Sequence, residues 1–251
     1  MIHRKSRHEI NLMKTSGSIV AEAHAAIKEV IKPGVSTIEL DEIAEKIIRN
    51  NNAIPAFKGY HGFPGTICSS INEQVVHGIP SADVILKEGD VVSIDIGATY
   101  KGMVGDSAIT HPVGTVSEDV LKLLEVTNQA LYDAIEKMVA GNKLYETVSV
   151  AIEDRANMHG YGIVRNYGGH GVGRAMHEEP FLYNFHPGVP GPELKPGMVI
   201  AIEPMFNLGT GEVYTLDDGW TVVTSDGQPS AHFEHTVHVS KDGPEILTLL
   251  G

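Results

Sequence analysis

The chain has 251 residues, 32 acidic against 19 basic, for a net charge of −13 with histidine neutral. So acidic a chain lacks the basic surface from which nucleic-acid binding draws its affinity, and it repels anionic membranes, so neither is an expected direct partner. One cysteine, Cys68, leaves no intramolecular disulfide; with no run of about 18 apolar residues and no apolar segment after the basic N-terminus, a cytoplasmic location is expected.

The first helical signal runs from Arg7 to about Ile31. Leu12, Ile19, Ala23, Ala26, Ile27 and Val30 recur at helical spacing, and Lys32-Pro33-Gly34 ends the run. A second helix opens at Ser36, with Glu39 completing a capping box, and continues to Asn50-Asn51-Asn52. The glycine-rich Gly59-Tyr-His-Gly-Phe-Pro-Gly65 precedes strand-like runs at 66–70, 75–76 and 91–96. Helices are predicted at 118–138 and 144–158. A second glycine-rich stretch, Tyr167-Gly-Gly-His-Gly-Val-Gly173, leads to strands near 198–202, 221–224 and 232–239. Neither glycine-rich stretch carries a phosphate-cradle motif.

The order helix, helix, Gly-His-Gly loop, strands thus occurs twice. Leu86-Lys-Glu-Gly-Asp-Val-Val-Ser-Ile-Asp95 aligns with Leu194-Lys-Pro-Gly-Met-Val-Ile-Ala-Ile-Glu203 at an offset of about 108 residues, and His61-Gly62 aligns with His170-Gly171 at nearly the same offset. A duplicated half leaves such a trace. It predicts one catalytic domain over 1–251, made of two similar α+β halves, about 1–112 and 113–251, with a site between them.

The chemistry-bearing residues fall on these strands. Asp95 ends one apolar run and Asp106 opens another, with residues 97–102 as the expected hairpin tip; both aspartates then share one face. Two facing carboxylates repel unless a cation lies between them. Taken singly, each Asp also fits a strand end or a turn. Glu203 holds the place of Asp95 in the second half, at the end of a run too apolar for an unpaired acid. Glu234 sits in an alternating run, opposite in face to Phe233 and His235, and alone it fits the solvated face of an edge strand. His170 lies between glycines that allow close approach of backbone and ligands. His77 and His177 occupy similar loops.

Six stretches carry a wider likeness: Asn72-Glu-Gln-Val-Val-His-Gly-Ile-Pro80, Asp95-Ile-Gly with Gly105-Asp106, Gly169-His-Gly-Val-Gly-Arg174, His177-Glu-Glu-Pro180, Ile202-Glu-Pro204 and Phe233-Glu-His-Thr236. In this order they resemble the bacterial type I methionine aminopeptidases of peptidase family M24. That resemblance implies an α+β, pita-bread (creatinase/aminopeptidase-like) fold of two pseudo-symmetric halves with a central curved antiparallel sheet. It implies two divalent metal ions on Asp95, Asp106, His170, Glu203 and Glu234, with Asp106 and Glu234 bridging. So oxygen-rich a set favours Mn, Fe(II) or Co, with Zn and Ni as further candidates. The resemblance also gives Glu203 a proton-shuttling role and makes His77 and His177 hydrogen-bonding partners of the substrate and the developing tetrahedral intermediate. It forms a methionine pocket from Tyr60, Phe63, Cys68, His77 and Trp220. Phe57 stands where a small residue, often Cys, is common, and Met176 where Phe is usual. A Na or K ion near Asn72, Gln74 and Ser230 belongs to the same expectation.

The implied activity is removal of N-terminal methionine from peptides and nascent chains at the ribosome, by a monomer that favours a small second residue. The alternatives are a proline-specific aminopeptidase of the same fold, which usually carries an extra N-terminal domain, and a non-catalytic pita-bread binding protein, which typically loses metal ligands.

Overall fold

The computed structural model describes residues 1–250. Helix α1 (Arg7–Val30) opens on Ser6, whose hydroxyl accepts from the Glu9 N–H while the Glu9 carboxylate accepts from the Ser6 N–H at 2.8 Å. Helix α2 (Thr37–Asn50) starts with the same box, Ser36 with Glu39. The remaining helices are α3 (Glu118–Glu136) and α4 (Val150–His159). A π-helical turn, Tyr145–Ser149, stands where the sequence predicts the first turns of α4.

The strands of the first half are β1 (Ile54–Pro55), β2 (Ile67–Ile71), β3 (Gln74–Val76), β4 (Val91–Tyr100) and β5 (Met103–Pro112). Then follow β6 (Gly162–Ile163), β7 (Gly169–Gly171), β8 (Glu178–Leu182), β9 (Val199–Ile202) and β10 (Met205–Asn207). The last are β11 (Val213–Thr215), β12 (Val222–Thr224), β13 (Ser230–His232), β14 (His235–Val239) and β15 (Pro244–Ile246). Every pairing among them is antiparallel. The two larger groups are β1-β4-β2 with β5 on β4, and β15-β14-β9-β7-β8.

The β4–β5 hairpin corrects the expected tip. Residues 97–100 stay paired with 103–106, so the turn is Lys101-Gly102 alone, with φ 48° and 79°. Two positive φ values over a two-residue loop suit the twist of the flanking strands. The run expected as one strand over 232–239 is interrupted: Phe233 and Glu234 lie between β13 and β14.

β5 meets residues 232–236 in an antiparallel seam. Glu234 N–H donates to the Ala108 carbonyl at 2.8 Å, and Ala108 N–H returns the bond at 3.4 Å. On either side a threonine hydroxyl replaces a rung. Thr110 Oγ1 donates to the His232 carbonyl and accepts from its N–H, both at 2.8 Å. Thr236 Oγ1 donates to the Asp106 carbonyl at 2.8 Å and accepts from its N–H at 3.1 Å. The two sheet groups are therefore hydrogen-bonded into one surface through buried residues.

Each helix pair covers one group. Val20, Ala23 and Ile27 of α1 and Leu40, Ala44 and Ile48 of α2 bury against Ile67, Ile94 and Ile96. Leu123, Leu131 and Ala134 of α3 and Ile152 of α4 bury against Ile200, Ile202 and Val237. Each such Leu, Ile or Val contributes about 1.5–3 kcal/mol. α1 packs directly on the sheet at Gly105, where a Cβ would lie 2.7 Å from the Gly17 nitrogen. No helix among the described residues is long and apolar enough to cross a membrane.

Candidate metal centre

Strand register sets the floor of the site. Cys68 pairs with Asp95, Asp95 with Ala108, and Ala108 with Glu234, so these four form a transverse row on one face. Asp106 lies two residues from Ala108 and shares that face. The two aspartates are thus diagonal neighbours, Asp106 facing Gly97 and Asp95 facing Ala108, rather than directly opposed. Glu203 follows the last residue of β9, and His170 on β7 pairs with Ala201, two residues before Glu203. Five side chains distant in the sequence line one cavity of about 660 Å³.

Ligand atoms of Asp106, His170 and Glu234 lie within 4.8 Å of one another, and all three residues are buried. His170 Nε2 is 3.5 Å from Glu203 Oε1 and 3.7 Å from Asp106 Oδ2. Glu203 Oε2 is 3.6 Å from His232 Nε2. The imidazole is oriented from behind, since His170 Nδ1 lies 3.0 Å from the Gly171 carbonyl. A carbonyl only accepts, so Nδ1 carries the proton and Nε2 presents its lone pair to the carboxylates.

The electrostatics of this cluster are unfavourable as four anions. Burial lifts the Asp95 carboxyl to about 7, with the His232 imidazole pulling down and the Glu203 charge pushing up. Burial, then Asp95 and Glu203, raise Asp106 well above the usual carboxylate range. Glu234 rises through burial and then Asp106, Glu203 and Asp95, and Glu203 through burial. His170 supplies no compensating charge, because burial first and His177 second hold its pKa near 3. Asp95 Oδ1, Asp106 Oδ1 and Glu234 Oε1 are buried without a hydrogen-bond partner. Unsatisfied carboxylate oxygens at this density are costly. A hard divalent cation resolves both the repulsion and the missing partners, and the donor set of four carboxylates and one neutral imidazole fits it.

Above the floor, the wall divides into a polar rim and an apolar pocket. His177 lies at the rim, its Nδ1 2.8 Å from the Tyr60 hydroxyl and its ring centroid 4.3 Å from that of His170. His77, at φ 61°, packs edge-on against Tyr167 and Trp220, and burial, then His232 and His177, hold its pKa near 4. Phe57, Phe63, Cys68, Met176 and Trp220 supply the apolar wall. Phe63 and Trp220 meet edge to face at 5.1 Å. Gly97 makes room for Phe57, because a Cβ there would lie 2.7 Å from Phe57 Cε1. Burial, reinforced by Asp95 and Asp106, pushes the Cys68 thiol up and keeps it protonated.

Asn72, Gln74 and Ser230 do not line this cavity. The Asn72 side chain accepts from Val91 N–H and donates to Asp90, and its carbonyl accepts from Ser230 N–H at 2.9 Å. Gln74 Oε1 accepts from Ile71 N–H. The structure adds His61, Tyr167, Phe181 and Glu179 to the lining, and His232 beside Glu203. His232 was signalled by its two-residue spacing from Glu234, and His61 by its place in the internal repeat. Tyr167 opens the second glycine-rich stretch and Glu179 lies in the His177–Pro180 stretch, while Phe181 carries no such signal.

A family profile described as metallopeptidase family M24 matches residues 11–241. Methionine aminopeptidase 1 of Bacillus subtilis is 51% identical over 248 residues, spanning 99% of both chains. Methionine aminopeptidase 1 of Mycobacterium tuberculosis is 49% identical over 255 residues, spanning 99% of this chain and 96% of its own. Among solved structures, methionine aminopeptidase from Thermotoga maritima superposes with a TM-score of 0.97 at 42% identity, covering 99% of this chain and 100% of that one. The prolidase from Pyrococcus furiosus has a TM-score of 0.78 at 28% identity; it covers 98% of this chain but only 65% of its own length is matched. Buried carboxylate centre, antiparallel α+β architecture and full-length identity agree, and the chain belongs to metallopeptidase family M24, among its methionine aminopeptidases of the pita-bread fold.

Proposed function

We propose that this protein removes N-terminal methionine from peptides and nascent polypeptides by metal-dependent hydrolysis, favouring a small second residue. The observation that carries the reading is the cluster of four carboxylates and a neutral imidazole, with Asp106, His170 and Glu234 buried and three oxygens unpartnered, at the foot of an apolar pocket. Two divalent ions are proposed there, which Asp95, Asp106, His170, Glu203 and Glu234 would hold; Mn, Fe(II) and Co would suit such donors. Bound ions supply Lewis acidity that brings water into its ionisation range near neutral pH and polarises a carbonyl.

The protein's own groups do the rest. The substrate's free α-amine would serve as a further donor to a bound ion, which would select a free N-terminus. Phe57, Phe63, Cys68, Met176 and Trp220 receive the flexible thioether side chain, a soft apolar group suited to such a wall. Glu203, one oxygen of which lies 3.6 Å from His232 Nε2, would take the proton released by the attacking water and pass it to the leaving amine. His177 and His77 stand at the cavity wall as hydrogen-bond donors to the carbonyl oxygen as charge develops on it. On this reading the enzyme acts as a cytoplasmic monomer on chains emerging from the ribosome. A monovalent cation at Asn72, Gln74 and Ser230 would be structural, being outside the cavity.

The test is hydrolysis of Met-Ala-Ser against Ala-Pro-Ala, each with and without chelator. Chelator-sensitive cleavage of Met-Ala-Ser alone supports the reading. Preference for the proline peptide would move the chain to the prolidase-like activity, and no cleavage of either with added metal would leave a binding protein.

A further inference from the structure

The loop 173–178, which carries Met176 and His177, is fastened from outside the cavity by the N-terminal segment. Lys5 is buried, and its ammonium donates to Glu178 Oε2 at 2.7 Å. The two side chains are only 2% and 8% exposed. The other oxygen of Glu178 accepts from the Arg174 N–H at 2.7 Å and the Ala175 N–H at 3.2 Å, so this one carboxylate organises the turn. The lysine chain reaches Glu178 by passing through the space that a side chain on Gly173 would fill. Its backbone is anchored separately, Lys5 N–H donating to the Gly197 carbonyl at 2.6 Å just before β9. A second tie lies nearby: Arg174 Nη2 meets Glu9 Oε1 at 2.6 Å, and Glu9 also caps α1.

Lys5 is buried between exposed polar neighbours, Arg4 and Ser6, and an ammonium there has no folding motive of its own. Apolar residues of similar volume fill such space as well or better than an ion pair, and buried pairs are weak sources of stability. What this pair does supply is a defined shape for the turn before His177. We propose that Lys5 is a positioning residue for the methionine-removing reaction: through Glu178 it holds loop 173–178 in the form that presents His177 to the substrate carbonyl. The proposal rests on the functional reading above. It makes residues 5–9, which do not line the cavity, part of what sets the catalytic rate.

The experiment is a double-mutant cycle of Lys5→Met and His177→Ala, read as kcat and KM on Met-Ala-Ser with metal content measured on each protein. Lys5→Met should lower kcat by about tenfold or more, as small displacements of positioned groups do, with KM changed by less than about threefold and metal content unchanged. In the His177→Ala background, Lys5→Met should cost less than about twofold, because a residue acting through His177 has nothing left to act on. Lys5→Met/Glu178→Gln, which leaves no unpaired buried charge, is measured alongside and replaces Lys5→Met in the cycle if that variant does not fold. A loss of equal size in both backgrounds, a loss accompanied by loss of metal, or no loss at all would overturn the proposal. If the wild type cleaves Met-Ala-Ser and the cycle is additive, only this inference fails; if the wild type does not cleave it, the functional reading fails first.

Discussion

Ala108 and Glu234 exchange a pair of backbone hydrogen bonds where the two sheet groups meet, and Ala108 also faces Asp95 in the strand on its other side. A methyl group thus lies between two carboxylates, with a third two residues along. Its small size leaves the oxygens room to converge. Ala108→Val inserts two methyl groups into that space. Overpacking there costs about 1–3 kcal/mol, and displacement of the flanking acids should weaken metal binding by roughly 10–100-fold. Isothermal titration with Mn on the variant and the parent checks this; equal affinities would mean that the row is looser than its register indicates.

Phe57 and Gly97 form a second size-matched pair. Gly97→Ala should push the Phe57 ring into the pocket and raise KM for Met-Ala-Ser by roughly tenfold, the scale of one methylene in a specificity pocket. In a Phe57→Cys background the same change should have little effect. Additive effects in the steady-state kinetics would separate the two positions.

Tyr60 orients His177 through the 2.8 Å contact at Nδ1. With the phenol donating, the ring proton sits on Nε2, the atom free to donate. Tyr60→Phe should lower kcat/KM by about tenfold without changing metal content, since it leaves His177 free to adopt the other tautomer. Metal loss in that variant would place Tyr60 in the support of the floor instead.

The pH dependence of stability has a source behind the sheet. Burial holds the His24 pKa near 3, against 6.5 for the free group, while Nε2 donates to the Ser107 carbonyl at 2.9 Å. A folded-state pKa below the unfolded one means that the unfolded chain takes up the proton. Stability from this group is complete above pH 6.5 and falls as pH drops toward 3. The slope per group is about 1.4 kcal/mol per pH unit. His24→Gln should therefore flatten the curve of unfolding free energy between pH 6 and 4 by roughly that slope, whatever its effect on stability at pH 7. Urea titrations of chelated protein at three pH values measure the difference.

The sequence made the helices and the two long strands readable because each carries a sustained period. The Ser36–Glu39 capping box and the shared face of Asp95 and Asp106 follow from such local patterns, whereas the Ser6–Glu9 box emerged only from the structure. The exact pairing of that hairpin did not, because Gly97-Ala-Thr-Tyr reads as loop composition until Lys101-Gly102 is recognised as the whole turn. β7 is Gly-His-Gly, three residues with no periodicity, and only its neighbours make it a strand. At Phe233-Glu234 the alternation continues while the ladder breaks, so sequence alone leaves Glu234 on an edge. Its burial comes from the seam with β5, a contact between residues about 125 positions apart. Lys5 was hidden for a similar reason: a lysine in a basic leader reads as solvated until Gly173 and Glu178 are brought beneath it.

On the proposed function the carboxylate cluster holds divalent cations for hydrolysis, and Asp106→Asn probes this at its root. Metal-stripped wild type and variant are titrated with Mn or Co while bound metal and Met-Ala-Ser cleavage are followed together. Wild-type activity should return in step with bound metal. Asp106→Asn, still folded and with an apo melting temperature no lower than the apo parent, should bind metal far more weakly and stay inactive. Full activity in the variant, or in wild type stripped of divalent ions, would contradict that role.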